Sequence, residues 1–317
     1  MRLMKDLDSA GLDCLAALAD ERSFERAAQR LAITQSAVSQ RLRSLEAQVG
    51  QLLVVRSRPL RLTEPGKVLL RFARQLQALR TDVARELGDQ LAPKERIAIA
   101  VNADSLATWV LPALDSLVQQ GLHEGYGLEL VVDDQDFTHD WLRQGEVLGC
   151  VSTVKQALRG CVVQALGVMS YVAVASPEFV QAWMPEGLHE GNFAQLPFLV
   201  FNRKDDNQAQ WVSKAFGLRA PRLKERYVPS SEAYARAVCM GWGVGVAPEL
   251  QVRDLIAQRQ LTQLRPEISV DLTLYWHQWK GVSDSTGTRV ALLDQIGQAL
   301  AGGAARTLRP LRSRVPG

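Results

Sequence analysis

The chain has 317 residues, 47% hydrophobic and 22% charged, with 23 Gly and 13 Pro, which excludes disordered, collagen-like and fibrous chains and suits about two globular domains. No stretch approaches about 18 uninterrupted apolar residues, so no membrane-spanning helix is expected, and the first eight residues lack the apolar run of a secretory signal. A cytoplasmic protein follows, with Cys14, Cys150, Cys161 and Cys239 as reduced thiols, because none has CxxC or other metal-type spacing.

The net charge of +3 is unevenly spread. Between Glu21 and Arg71 ten basic residues face four acidic ones, whereas from Leu91 to Gly302 eighteen basic residues face twenty-three acidic. A basic head on a mildly acidic body suits a polyanion-binding module joined to something else.

In the head, Leu12, Leu15, Ala16 and Ala19 repeat at helical spacing and predict a first helix over 8–19. Ser23 is a suitable N-cap for a second helix carrying Phe24, Ala27, Ala28 and Leu31, and Thr34 for a third. Val38, Leu42, Leu45 and Val49 form the third helix's apolar stripe. Ser36, Ser39, Gln40 and Arg43 form the opposite one, with Thr34 and Gln35 at its start. That polar face suits base reading: Gln pairs bidentately with adenine, Arg with guanine, and Ser approaches any base edge without conflict. After Gly50, residues 52–55 and 60–63 suit a short ribbon, with Arg56, Arg58 and Arg61 placed for phosphates or a minor groove.

The stretch SFERAAQRLAITQSAVSQRL (Ser23–Leu42), followed by RSLEAQVGQLLVVR and LTEPGKVLL, resembles the amino-terminal domain of LysR-type transcriptional regulators. The family's usual Phe is replaced here by Leu53 or Val54, one apolar residue for another. The resemblance implies a winged helix-turn-helix domain over 1–63 that binds double-stranded promoter DNA.

From Glu64, Leu69, Phe72, Leu76, Leu79 and Val83 step by 3 and 4, a coiled-coil-like seam. A linker helix over 64–90 is expected, and the resemblance implies that it pairs with a second copy in a dimer or tetramer. Two-fold DNA readers need two heads roughly 34 Å apart.

The body reads as alternating strand and helix. Strands are expected at 96–102, 128–133 and 147–153, then at 171–175, 198–201, 226–228 and 272–276, with helices after Asp104, near 140–144, after Ser230 and near 290–300. Two α/β lobes crossed twice by the chain put a ligand cleft at strand ends. The body is similar to the periplasmic-binding-protein-like effector domain of the same family, over 91–302, with lobe 1 at about 91–161 and 268–302 and lobe 2 at about 162–267. AVNADSLATWVLPAL (Ala100–Leu114), RQGEVLGCVST (Arg143–Thr153), VASPEFV (Val174–Val180) and VPSSEAY (Val228–Tyr234) resemble the lysine- and arginine-responsive ArgP/IciA/LysG subgroup. Lysine or arginine is then the expected small-molecule effector, with no cofactor and no metal, and control of basic amino-acid export the expected role. Helix N-termini at Ser105 and Ser231 offer N–H groups to an α-carboxylate. Asp104, Asp134, Asp206 and Glu232 offer carboxylates to a cation, and Ser152 completes the expected effector set.

The Gly241–Pro248 segment lacks a GK[ST] ending and does not complete G-x-G-x-x-G, so a tight turn is expected there. His123, His139, His189 and His277 are scattered, and no GxSxG or Ser-Lys arrangement is present. The chain therefore reads as a regulator and not an enzyme, with RNA polymerase as a further partner of such regulators and no membrane partner. The alternatives are the same class with a different effector, or a less specific architectural, replication-inhibiting DNA binder. Residues 303–317, with Arg306, Arg309, Arg312 and Arg314, read as a flexible basic tail.

Overall fold

A computed structural model describes residues 7–57, 60–86, 95–133, 138–280 and 288–311. Arg58 and Asp134 lie outside the described residues. The chain divides into two compact units, one built on the first four helices and the other on the α/β elements; residues Asp140–Leu148 group with the first.

The first unit opens with α1 (Ser9–Glu21), α2 (Phe24–Arg30) and α3 (Gln35–Val49). Each helix starts on a side-chain cap. Asp8 accepts from the N–H groups of Ala10 and Gly11, Ser23 from Arg26, and Thr34 from Ala37. The turn between α2 and α3 passes through Ala32 at φ 52°, a left-handed residue that costs about 1–2 kcal/mol. Small Ala27 and Ala28, both buried, let the helices approach, and the core gathers Leu12, Leu15, Leu18, Val38, Leu42, Leu45 and Leu53. Asp20 ties neighbouring elements at the rim through Arg30 Nη1 (2.6 Å) and Arg74 Nη2 (2.7 Å).

The ribbon is shorter than expected, β1 (Val54–Val55) against β2 (Arg61–Leu62), with Val54 opposite Leu62. So brief a ladder needs other anchors. Glu46 on α3 supplies one by accepting from the N–H groups of Leu53 (2.9 Å) and Val54 (3.4 Å). Thr63 supplies another: its N–H donates to the Leu53 carbonyl (3.0 Å) and its hydroxyl to that of Leu52 (2.6 Å). At Gly66 a Cβ would stand 2.0 Å from the Leu53 carbonyl oxygen, so only glycine permits this approach.

Helix α4 (Glu64–Glu86) carries the expected seam, but its first half is already engaged. Leu70 and Ala73 are fully buried, and Leu69, Phe72 and Leu76 pack partly on the head core. Leu79 and Val83 stay exposed, as does Val68. The reason is geometric: the start of α4 lies along α1, so one apolar stripe serves the head before it can serve anything else.

The α/β elements follow the order β3 (Glu95–Asn102), α5 (Ala103–Ser105), a π turn over Leu106–Val110, α6 (Leu111–Glu124), β4 (Tyr126–Asp133), α7 (Thr138–Gln144), β5 (Gly149–Ser152) and β6 (Cys161–Ala175). Then come α8 (Pro177–Trp183), β7 (Pro197–Val200), α9 (Asn207–Phe216), β8 (Lys224–Tyr227), α10 (Ser231–Cys239), β9 (Gly245–Pro248), α11 (Glu249–Ala257), β10 (Thr262–Leu264), β11 (Val270–Trp279) and α12 (Thr288–Thr307). Seven strands form one sheet, β10-β6-β11-β5-β3-β4 with β9 also on β6, while β7 and β8 pair separately in parallel. The parallel β3–β5 pair is as expected. The long antiparallel β6–β11 pair runs through the middle of this sheet, with a bulge at Leu274/Tyr275. Gln164 and Gly167 interrupt the apolar run of β6, which is why only 171–175 reads as strand from sequence.

Two further expectations change. Gly241–Pro248 is a turn followed by strand β9, and Gly243 is required because a Cβ there would lie 2.3 Å from the Pro197 carbonyl oxygen. Of the tail expected over 303–317, residues 303–307 are the end of α12, Leu308 is buried and Arg309 pairs with Val168 in an antiparallel bridge, while 312–317, with Arg312 and Arg314, lie outside the described residues. All four cysteines are free thiols, and burial pushes that of Cys150 upward.

Removing the Glu46 anchor should loosen the ribbon selectively. In Glu46→Ala, amide exchange at Leu53 and Val54 is expected to quicken about ten-fold or more, the weight of a bond to a charged acceptor. Glu46→Gln should restore part of the protection. Unchanged exchange in Glu46→Ala would show that the carboxylate anchors nothing.

Candidate effector pocket and nucleic-acid face

Helix α3 divides cleanly. Val38, Leu42 and Leu45 are buried, while Thr34, Gln35, Ser36, Gln40 and Arg43 are exposed and Ser39 is half-buried. The polar stripe carries no acid, so nothing on it repels a phosphate backbone. The Thr34 and Ser36 hydroxyls lie 2.9 Å apart at the helix start. On the ribbon Arg56 and Arg61 are exposed, and the Arg56 guanidinium sits 5.4 Å from the Phe24 ring centroid, a cation–π contact that holds it beside α2.

The second unit offers a pocket bounded by Asp104, Tyr171, Phe201, Asp205, Asn207 and Ser231, with Tyr234 and the Val246–Pro248 strand behind. Its free space, open solvent at the mouth included, is about 250 Å³, while the cavity volume proper is about 20 Å³, room for roughly one water. Asp104 follows the end of β3, Asp205 and Asn207 the end of β7, and Ser231 the end of β8. Ligands of such sheets gather at these carboxyl ends.

Asp104 is the centre of the pocket. Its Oδ2 accepts from the Tyr171 hydroxyl (2.9 Å) and its Oδ1 from the Ser231 hydroxyl (2.6 Å). Gln251 braces Ser231 by donating to its carbonyl (2.9 Å) and its hydroxyl (3.2 Å). Burial pushes the Asp104 carboxyl above the usual aspartate range; the two hydroxyls pull it down, and the charge of Asp205 raises it further. No lysine or arginine lines the pocket among the described residues. Tyr234 forms the floor, donating to the Leu199 carbonyl (2.8 Å) and accepting from the Val246 N–H (2.9 Å).

Of the described effector residues expected from sequence, Asp104 and Ser231 line this pocket, and Ser105, Ser152, Asp206 and Glu232 do not. Ser105 is the third residue of the helix that starts at Ala103 after Asn102, and its hydroxyl is buried with no partner. Ser152 is buried within β5, accepting from the Val154 N–H (3.2 Å). Asp206 is exposed and accepts from Gln210 one turn on (2.8 Å); its neighbour Asp205 turns inward instead. Glu232, one position past Ser231 on α10, is rotated out to solvent. Sequence reading missed Tyr171, Asp205, Asn207 and Tyr234. The Asp-Asp-Asn run just after a strand was the available signal, since such residues build turns on their own backbone. The histidines are less scattered than expected: His139 and His277 rings meet edge-on at 5.0 Å.

Residues 10–67 match the model of the bacterial regulatory helix-turn-helix protein, lysR family, and residues 91–293 that of the LysR substrate binding domain. The chain belongs to the LysR family of transcriptional regulators. Within that family it is similar to the ArgP and LysG regulators. It is 41% identical over 308 residues to HTH-type transcriptional regulator ArgP of Aeromonas salmonicida, across 97% of this chain and 100% of that one. The crystal structure of ArgP from Mycobacterium tuberculosis is similar at TM-score 0.82 and 38% identity, over 96% of this chain and 100% of that chain. Full-length LysG from Corynebacterium glutamicum, solved with bound effector Arg, is similar at TM-score 0.71 and 33% identity, with the same coverage. The chain is thus a regulator and not an enzyme, and among the described residues no helix is long and apolar enough to cross a membrane.

The desolvated Asp104 has a consequence for stability. Its folded pKa lies above the unfolded value, so its contribution is full below about pH 4 and is lost as pH rises through the folded value. Asp104→Asn should therefore melt above wild type at pH 7.5, by about 2–4 °C per kcal/mol relieved, and show a smaller gain at pH 4. A melting difference equal at both pH values would contradict this.

Proposed function

We propose that this protein is a one-component regulator that reads promoter DNA with the exposed face of α3 and responds to lysine or arginine held at Asp104. One observation carries the effector reading: a pocket lined by two carboxylates and, among the described residues, no lysine or arginine. Such a site is completed by a ligand that brings positive charge. The bound Arg of the Corynebacterium relative supports the same chemistry. Ser231, on the first turn of nine-residue α10, stands where N–H groups can meet a carboxylate.

Thr34, Gln35, Ser36, Ser39, Gln40 and Arg43 are assigned to DNA, together with Arg56 and Arg61 on the ribbon; Arg58, outside the described residues, belongs to the same arginine group. Gln40 and Arg43 read base edges, and the ribbon arginines hold phosphates. Leu79 and Val83, with the outer edges of Leu69, Phe72 and Leu76, form the surface on which a second copy pairs. Control of a basic amino-acid exporter, in contact with RNA polymerase, is the role this assembly suits.

Thermal melting tests the effector. Lysine or arginine at a hundred-fold excess over its dissociation constant adds about 2.7 kcal/mol of stability, while norleucine and citrulline should add little. A shift with a different metabolite alone would overturn the basic-amino-acid assignment. Gel shifts test the DNA face. Gln40→Ala should lose about 1–3 kcal/mol of discrimination between operator and altered sites, whereas Arg56→Ala should weaken every duplex alike. Wild-type protein that prefers its operator over random DNA by less than roughly 10³ would favour an architectural binder.

A further inference from the structure

The acid of the pocket is held in two separately built places. Asp205 lies in the turn between β7 and α9, its Oδ2 accepting from the Phe201 N–H (3.0 Å) and Gln208 Nε2 (3.1 Å) and its Oδ1 from the Asn207 N–H (3.1 Å). Gln208 also donates to the Tyr234 hydroxyl (3.2 Å), so Asp205 is locked to the pocket floor. Beside it Asn207 lines the same pocket while only 4% exposed, and its side-chain oxygen has no donor.

The donors nearby are committed. The hydroxyls of Tyr171 and Ser231 go to Asp104, and that of Tyr234 to the Leu199 carbonyl. A buried acceptor without a donor is costly, and two carboxylates sharing a small opening repel each other. What relieves both is a group that is positively charged and carries several N–H bonds. A neutral amide could satisfy the Asn207 oxygen but not the paired charge. A guanidinium has five donors and an ammonium three, so either can bridge a carboxylate and a neighbouring amide oxygen.

We propose that Asp205 and Asn207 are the specificity-determining residues of this pocket, seating a cationic group of the effector between a carboxylate and an amide oxygen. This rests on the reading of the pocket as a basic amino-acid site, and adds to it the residues that reject uncharged analogues. Asp205 acts through charge, and Asn207 through a neutral acceptor that only a donor-rich group can use.

Calorimetry on the full chain tests this with arginine, citrulline (uncharged side chain) and Nα-acetylarginine (uncharged α-nitrogen). Wild type is expected to favour arginine over at least one analogue by about ten-fold or more, the analogue rejected naming the end of the ligand that is held. Asp205→Asn should erase that preference chiefly by weakening arginine. Asn207→Leu keeps the backbone N–H that caps Asp205 and should weaken arginine about ten-fold; it decides the matter if Asp205→Asn does not fold. Wild-type protein that binds neither lysine nor arginine would overturn the site reading along with this proposal. Wild type that binds arginine selectively, with both folded variants keeping the full preference, would overturn the proposal alone.

Discussion

The effector domain depends on a carboxylate that its own fold does not neutralise. Asp104 receives two hydroxyl hydrogen bonds, from Tyr171 on β6 and Ser231 on α10, and these draw together residues 67 and 127 positions away in the chain. Hydroxyls can orient toward a charge but cannot cancel it, so the group remains pushed toward its neutral form. Asp205 adds a second negative charge without adding a counter-ion. A pocket of this kind is poorly matched to itself and well matched to a cation.

The DNA-binding unit solves a different problem, keeping a polar face empty. Leu42 and Leu45 are held in the core by α1, so the opposite side of α3 stays in solvent with Gln40 and Arg43. Glu46, the first acid on that helix, does not join the polar face but turns to the ribbon and accepts two backbone N–H groups. The one charge that would repel phosphate is thereby used to position the arginine-bearing ribbon. Arg56 is steadied in turn by the ring of Phe24, which links the ribbon to the second helix.

Much of this was legible in the sequence, and the misses share a cause. Three-helix periodicity and capping residues are local, so Ser23, Thr34 and both stripes of α3 could be assigned from spacing alone. Asp104 and Ser231 could be named because each follows a strand that reads clearly. The choice between Asp205 and Asp206 could not be made: the two are chemically identical neighbours, separated only by which one meets the Phe201 N–H and Gln208. Tyr171 and Tyr234 could not be singled out because their hydroxyl partners come from distant elements. The seam on α4 was visible as a stripe, but a stripe does not say that the head claims half of it. Strand β6 was truncated by Gln164 and Gly167, which obscure its pattern without breaking its pairing to β11.

A single titration reaches the central claim, that Asp104 is an unneutralised carboxyl completed by a ligand cation. Carbon-13 NMR of the aspartate carboxyls, with Asp104→Asn identifying the resonance, follows its protonation directly. The account predicts that Asp104 titrates above the ordinary aspartate range, near pH 4, in the ligand-free protein, and moves down when arginine is added. A resonance that titrates in the ordinary range and ignores arginine would contradict it.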